Sequence, residues 1–405
     1  MFIKENSKLN ENLIENENLI ENENNINKNL NKNSFEVEND DNLNENIFKI
    51  KTVLPLKLSK IKLIIFIILN IITLGLINIL IRYFPKLEYY LLFINTNLLD
   101  KNTNYLAIFS YENEFKITSL IKENLPEINN KYLNKNHLNL LIKFKFKKLY
   151  YFYNFESNKF FPLIFKLIGA KENIINSLEN GLNEDDINYQ KKLFEKCNIE
   201  IKIPFYLKII WEEITDFYYL FQIYALTIWF IEEFTFYAQF TFMCNFYDLY
   251  SSVNEKYEDL IRIKKFSDYK IPIKIHRRDK NNKKYILYTS SENLLPGDIF
   301  ELPEKNYEIP CDCILIKGKC IIDESFITGE NRPILKSELE KNKKYFKIEE
   351  DKNSILFCGT KIIEKNNKTL VLCYQTGFNT MKGKIVQSIL FPQKFYSFFN
   401  LDSNK

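Results

Sequence analysis

The chain has 405 residues and carries 56 Lys and Arg against 52 Asp and Glu, a formal charge of +4. That length exceeds what one hydrophobic core organises, roughly 100 to 200 residues, so two or three domains are expected. The near balance of charge excludes a nucleic-acid binder working through a single-sign field. Two histidines, neither beside a Cys or carboxylate at ligand spacing, leave little for a zinc site or a His-based triad.

Residues 1–48 are built mainly from Asn, Glu and Lys with scattered Leu and Ile, in near-repeats such as ENENLI and ENENNI. They hold too little apolar surface to offset chain entropy, which predicts disorder, and the Leu and Ile spacing sustains no heptad. In the block 49–90, the apolar run Leu63–Ile81 is about long enough to cross a hydrocarbon core. Lys57, Lys60 and Lys62 precede it and Arg82 and Lys86 follow, so positive-inside logic keeps both ends cytosolic. A re-entrant hairpin bent near Thr73–Gly75 satisfies that rule, and a simple spanning helix remains the alternative.

Residues 91–205 read as a small cytosolic N-terminal domain. Its stretch LLIKFKFKKLYYFYNF, 140–155, alternates apolar and basic residues at strand period, predicting a sheet with one wet and one buried face. Interleaved Lys and aromatic residues also resemble a single-strand nucleic-acid platform; the strand reading is the commoner one, and no nucleic-acid partner is expected.

In the block 206–254, Phe217–Ile231 and Phe234–Val253 are joined at Glu232–Glu233. Lys202 and Lys208 lie upstream, and Lys256, Arg262, Lys264 and Lys265 downstream, which predicts a transmembrane helical hairpin with both ends in the cytosol. The second stretch carries Gln239, Asn245 and Asp248 and needs the shelter of other helices. After residue 290 glycine use rises to six of the nine in the chain, between short runs such as CILI, CIID and TLVLCY. This predicts a compact β-rich domain at about 270–376, within a block 255–390 that includes its linker. The seven cysteines, odd in number and without framework spacing, read as ordinary thiols in a reducing compartment. Cys311 and Cys313 share one strand face; with Cys320 they are read as buried side chains rather than soft-metal ligands.

The most informative residues are LPGDIFELP at 295–303 and IPCDCILIKGKCIIDESFITGENRPILK at 309–336. They supply, in order, Pro296, Gly297 and Asp298; Pro310 and Asp312; Asp323, Glu324 and Ser325; Thr328, Gly329 and Glu330; then Pro333 and Lys336. This ordered set resembles the actuator domain of P-type ATPases, with its Pro-Gly-Asp turn, Pro-x-Asp strand and Thr-Gly-Glu loop. Thr-Gly-Glu alone is a weak signal; the whole set is a strong one. TGFNTMKGKIVQSILFPQ at 376–393, LIRYFPKL at 80–87 and WEEITDFYYLFQIYALTIWFIEE at 211–233 are similar to the type-V branch, and most to its B division of polyamine transporters. Two positions depart from the family pattern: Asn331 stands in place of the usual Ser, and Asp216 in place of a Pro.

The resemblance implies an α+β membrane protein: a disordered N-terminus, a re-entrant or spanning apolar segment, a small soluble domain, a transmembrane hairpin and a β-rich actuator domain, with residues 391–405 leading into a third helix. It also implies an integral membrane location with the N-terminus and actuator in the cytosol. Such pumps pass through an aspartyl-phosphate, so Glu330 is implied to position the hydrolytic water while Thr328 and Gly329 shape its loop. ATP and Mg2+ belong to the full-length parent, with none expected on this chain. The implied partners are the bilayer, the missing phosphorylation and nucleotide-binding domains, and a cation or polyamine cargo.

The phosphorylated motif Asp-Lys-Thr-Gly does not occur: Asp100-Lys101, Asp279-Lys280 and Asp351-Lys352 are each followed by Asn. The sequence therefore reads as a fragment, a split gene or a truncated gene model. The leading expectation is the actuator and first membrane hairpin of an ATP-driven transporter, and the alternative a non-catalytic membrane adaptor that keeps the actuator fold.

Overall fold

The computed structural model describes residues 35–36 and 50–392, except 74, 101, 112–113, 125–139, 166, 168–170, 172–180, 280, 282, 342–344 and 367. The chain divides into two compact units, one of residues 1–127 with 134–163 and the other of residues 128–133 with 164–405.

The described residues of the first unit form an eight-stranded antiparallel sheet, β1 (Phe35–Glu36), β2 (Ile50–Leu58), β3 (Phe93–Asn95), β4 (Tyr105–Ser110), β5 (Phe115–Asn124), β6 (Leu140–Phe146), β7 (Leu149–Asn154) and β8 (Lys159–Pro162). The strand order is β1-β2-β4-β5-β6-β7-β8, with β3 also on β2. The rings of Phe35 and Phe160, at opposite ends of that order, lie 6.2 Å apart, so the sheet curls around a core of Ile50, Val53, Leu106, Ile142 and Phe144. The disorder expected for 1–48 lies outside the described residues apart from Phe35–Glu36, and there it is corrected. Phe35 packs edge-on against Tyr153, enough apolar contact to hold a short strand against β2.

Between β2 and β3 the chain leaves the sheet as α1 (Lys60–Ile72), α2 (Leu76–Tyr83) and α3 (Pro85–Leu92). The axis turns by 115° between α1 and α2, and Gly75 takes the left-handed conformation there. Ile64, Ile65, Ile68, Ile71, Ile72 and Leu76 are all exposed. Sequence boundaries at 48/49 and 90/91 followed hydropathy; strand pairing crosses both, because β2 and β4 form one ladder around the apolar excursion. Alternation also predicted solvated lysines over 140–155, yet Lys143 on β6 and Lys147 in the turn after it are buried and reach Glu123 at 3.3 Å and Glu114 at 2.8 Å.

The second unit includes the described residues between 164 and 199, a strap that the sequence boundary at 205 assigned to the preceding domain. Its hydrogen bonds decide otherwise: Gln375 Nε2 donates to the Phe165 carbonyl at 2.8 Å, Arg278 N to Leu182 O at 2.9 Å, and Cys197 N to Glu292 O at 2.9 Å. Lys171 pairs with Asp351 at 2.6 Å. These are backbone and long-range polar contacts, which leave no periodic mark in sequence. Within the strap α4 (Glu184–Leu193) is capped by Asn183, whose side chain accepts from Asp186 N at 2.7 Å.

Then come α5 (Tyr206–Ile214), α6 (Phe217–Ile231) and α7 (Thr235–Ser267). Among the described residues no single helix is long and apolar enough to cross a membrane. Two bent pairs pass by length and composition, α1 with α2 and α5 with α6, the latter bent by 63°. The expected hairpin is therefore met only in part: α6 has the bounds of its first arm but passes the test only together with α5, across the break at Thr215–Asp216, and the 33-residue α7 turns polar in its second half. The boundary drawn at 254/255 falls inside α7, which contains no Gly or Pro to stop it. The chain reverses at Glu232–Glu233, with Glu233 at φ 63°.

The remaining strands are β9 (Pro272–Arg278), β10 (Lys284–Ser290), β11 (Ile299–Glu301), β12 (Asp312–Lys317), β13 (Lys319–Asp323), β14 (Pro333–Ser337), β15 (Ile355–Leu356), β16 (Lys361–Lys365) and β17 (Leu370–Gln375). They make a six-stranded sheet, β10-β9-β11-β17-β12-β15, and a three-stranded sheet, β14-β13-β16. Helix α8 (Ser325–Thr328) interrupts the β13–β14 hairpin, and α9 (Met381–Leu390) follows β17. Residues 393–405, most of the expected lead into a third helix, lie outside the described residues. Cys311, Cys313, Cys320 and Cys373 all face the core, and burial pushes Cys320 and Cys373 up to about 12, far from a reactive thiolate.

Candidate functional site

The Thr-Gly-Glu loop is the tip of the β13–β14 hairpin. The two strands pair from Lys319↔Ser337 to Asp323↔Pro333, so Pro333 marks where the chain re-enters the sheet. At the root of the excursion Asp323 Oδ1 accepts from Ser325 N at 2.9 Å and starts the single turn of α8. A hydrogen bond from the Ser325 side chain, and after it this one from the amide, hold the Asp323 carboxyl below its usual value. The turn closes through Thr328 N to Glu324 O at 3.0 Å and Gly329 N to Ser325 O at 2.8 Å.

Gly329 then reverses the chain at φ 74°, a conformation that costs an L residue roughly 1–2 kcal/mol. A Cβ there would meet nothing within 4 Å, so the glycine serves the backbone and leaves open space in front of the tip. Thr328 donates its hydroxyl to Glu324 O at 3.1 Å and accepts from Glu330 N at 3.2 Å. The peptide of Glu330 is thereby fixed while its side chain is exposed. Among the described residues no donor or cation lies against the Glu330 carboxylate. Asn331 and Arg332 are exposed beside it.

Below the tip, Glu324 and Lys336 form a buried ion pair at 2.7 Å, their side chains only 8% and 4% exposed. Lys336 Nζ also donates to the Lys352 carbonyl at 3.0 Å. The pair ties the start of α8 to β14, giving the loop a stiff base.

The other motif residues stand away from the tip, where they build the head. Pro296 and Gly297 occupy a tight turn closed by Asp298 N to Leu295 O at 3.0 Å, with Gly297 at φ 94°. Asp298 is fully buried and receives Arg277 through two bonds, Nε to Oδ1 at 2.9 Å and Nη2 to Oδ2 at 2.6 Å, plus Leu295 N at 2.9 Å. Burial pushes its carboxyl up, and the guanidinium pulls it back. Asp312 accepts from Cys358 N at 2.8 Å and Met381 N at 2.9 Å, joining β12 to the loop after β15 and the first residue of α9. Burial raises its pKa to about 6 against the pull of those two amides. Pro310 is half-buried, and its carbonyl accepts from the thiol of Cys358 at 3.4 Å.

Sequence reasoning passed over Arg277 and Glu308, and used Lys382 only as part of the branch resemblance without giving it a role. Arg277 had a legible signal: Ile273, Ile275 and Arg277 share one strand face, so an arginine follows two isoleucines inward and needs a buried partner. Among the described residues no group of three His, Cys, Asp or Glu side chains has the geometry to hold a metal ion.

A β-built head that carries Thr-Gly-Glu on a hairpin tip above a buried Glu–Lys base is an actuator, and residues 272–390 match the P-type ATPase actuator domain. Residues 272–390 are thus a P-type ATPase actuator domain, and the relatives the chain resembles are of the type-V branch. It is 30% identical over 246 residues to the probable cation-transporting ATPase 13A4 of Gallus gallus, covering 56% of this chain and 20% of that protein. It is 26% identical over 367 residues to the vacuolar cation-transporting ATPase YPK9 of Saccharomyces cerevisiae (80% and 24%). To the polyamine-transporting ATPase 13A2 of Mus musculus it is 28% identical over 225 residues (54% and 19%). The chain thus spans about a fifth of the length of the curated relatives it matches.

Proposed function

We propose that this chain supplies the dephosphorylating actuator of an ATP-driven transporter of organic cations, with Glu330 as the residue that orients the hydrolytic water. The observation that carries the reading is the tip itself: a carboxylate without a protein partner among the described residues, held by Thr328 and Gly329 on a stiff hairpin. Such a group can reach into a separate phosphorylated domain. There Glu330 would accept a proton from water as the water oxygen attacks phosphorus. The bond from phosphorus to the aspartyl oxygen breaks, releasing phosphate and the free carboxylate. ATP and Mg2+ would act on that other domain. A polyamine-like cargo is supported only by what the relatives' names say of them.

Helices α1 with α2 and α5 with α6 would meet the bilayer, the first pair as a re-entrant element and the second as the first core span. The head follows α7 directly and leads into α9, so its rotation would pull on the membrane helices. The test uses a longer protein carrying this chain in frame with an Asp-Lys-Thr-Gly domain. There Glu330→Gln slows decay of the aspartyl-phosphate by about 100-fold or more. Wild-type decay in a folded variant rejects the role.

A further inference from the structure

Lys382 is the second residue of α9, where a cation opposes the helix dipole by roughly 0.3–1 kcal/mol, and yet it is only 4% exposed. Helix stability does not explain that placement; its surroundings do. Its Nζ lies 3.2 Å from Glu308 Oε2, 4.6 Å from the ring centre of Phe266 and 5.9 Å from that of Tyr269. Tyr269 in turn accepts from Glu308 N at 2.8 Å, so acid, ring and cation are held together.

The stem of Lys382 runs over Gly359. A Cβ on that glycine would lie 3.0 Å from Lys382 Cδ and 3.6 Å from Phe326 Cε1, so the stem and the Phe326 ring fill one recess. Phe326 belongs to α8, the turn that ends in Thr328 and Gly329, and its ring centre is 5.4 Å from that of Phe266 near the end of α7. Three elements therefore meet at this cation: the outgoing end of α7, the start of α9, and the helix carrying the tip.

We infer that Lys382 is a positioning residue for the Thr328–Glu330 tip, acting through Phe266 and Phe326. The inference rests on the reading of Glu330 as the working carboxylate. The cation holds the face of Phe266, Phe266 backs Phe326, and Phe326 sets the orientation of α8. The tip then follows both tethers of the head through shared contacts and needs no remote pathway.

Hydrogen exchange on the full 405-residue chain in detergent tests this. Lys382→Met is expected to speed exchange of the Ile327–Glu330 amides about tenfold while the β12 and β17 amides stay within about twofold. Lys382→Arg, which keeps a cation over the ring, is expected to restore at least half of that change on a logarithmic scale. Unchanged tip exchange in Lys382→Met, or an arginine variant that behaves like the methionine one, overturns the proposal. If Lys382→Met also loses strand protection, Glu308→Gln removes only the half-buried partner. Severalfold faster exchange confined to the tip then supports the joint, and unchanged exchange rejects it. No phosphoenzyme is needed, so this failure is distinct from failure of the Glu330 role, which Glu330→Gln reads separately.

Discussion

Two glutamates six residues apart on one hairpin have opposite lives. Glu324 lies under the loop, buried and paired with Lys336 at 2.7 Å; Glu330 lies at the tip, exposed, with no protein partner among the described residues. A charge taken out of water must be compensated where it sits, so Glu324 is committed to the fold. A charge left in water costs the fold little and stays available to another domain. Burial and pairing, rather than residue type, separate the architectural acid from the one proposed to react. The same contrast holds across the head: Asp298 and Asp312 are spent on Arg277 and on backbone amides.

The most severe way to break the comparison is to strip the buried glutamate of its partner. Lys336→Met leaves Glu324 uncompensated and is expected to cost about 3–5 kcal/mol of head stability. The measurement is protection of the β17 amides in hydrogen exchange. Adding Glu324→Gln should recover most of the loss, because a neutral amide removes the buried charge. A cost under about 1 kcal/mol for the single variant would show the pair to be effectively solvated, like a surface bridge.

Asp312 sharpens the contrast through pH. Its carboxyl titrates near 6 in the folded head and near 3.8 unfolded, because burial penalises the charged form. Between those values the native state binds more protons than the unfolded one, so this group's contribution falls as pH rises and is level above about 6. The two-unit displacement corresponds to about 3 kcal/mol. Wild-type stability minus that of Asp312→Asn should drop by this order between pH 4 and 6.5, since the variant cannot titrate there. A flat difference would mean that the Cys358 and Met381 amides offset the burial.

How much of this was legible follows from where the contacts run. The motif residues and the β-rich head were readable because turns and strands are local: Pro296-Gly297 writes its own turn, and TLVLCY its own strand. Thr328–Glu330, read as a loop, end the single turn of α8 at the tip of the β13–β14 hairpin. The strap of residues 164–199 was not legible, because Lys171–Asp351 and Gln375 to Phe165 join residues 180 and 210 positions apart. Nor was the strand at Phe35, a lone aromatic within a polar repeat that becomes structural only when Tyr153 and Phe160 arrive. Hydropathy found α6 with its bounds but not α5 before it, because Lys208, Glu212 and Glu213 dilute the apolar signal of Tyr206–Ile214.

The smallest expected effect is the one that separates the two glutamates most clearly. Glu330→Gln removes a charge that no described residue compensates and no burial penalises, so head stability should stay within about 0.5 kcal/mol of wild type. The peptide contact from Glu330 N to Thr328 Oγ1 is unaffected, since the side chain takes no part in it. Protection of the β13 and β14 amides should match wild type, while Glu324→Gln alone, which leaves Lys336 facing a neutral amide, should lower it. If Glu330→Gln destabilises the head as much as Glu324→Gln does, the tip carboxylate is holding the loop rather than waiting for a phosphorylated partner.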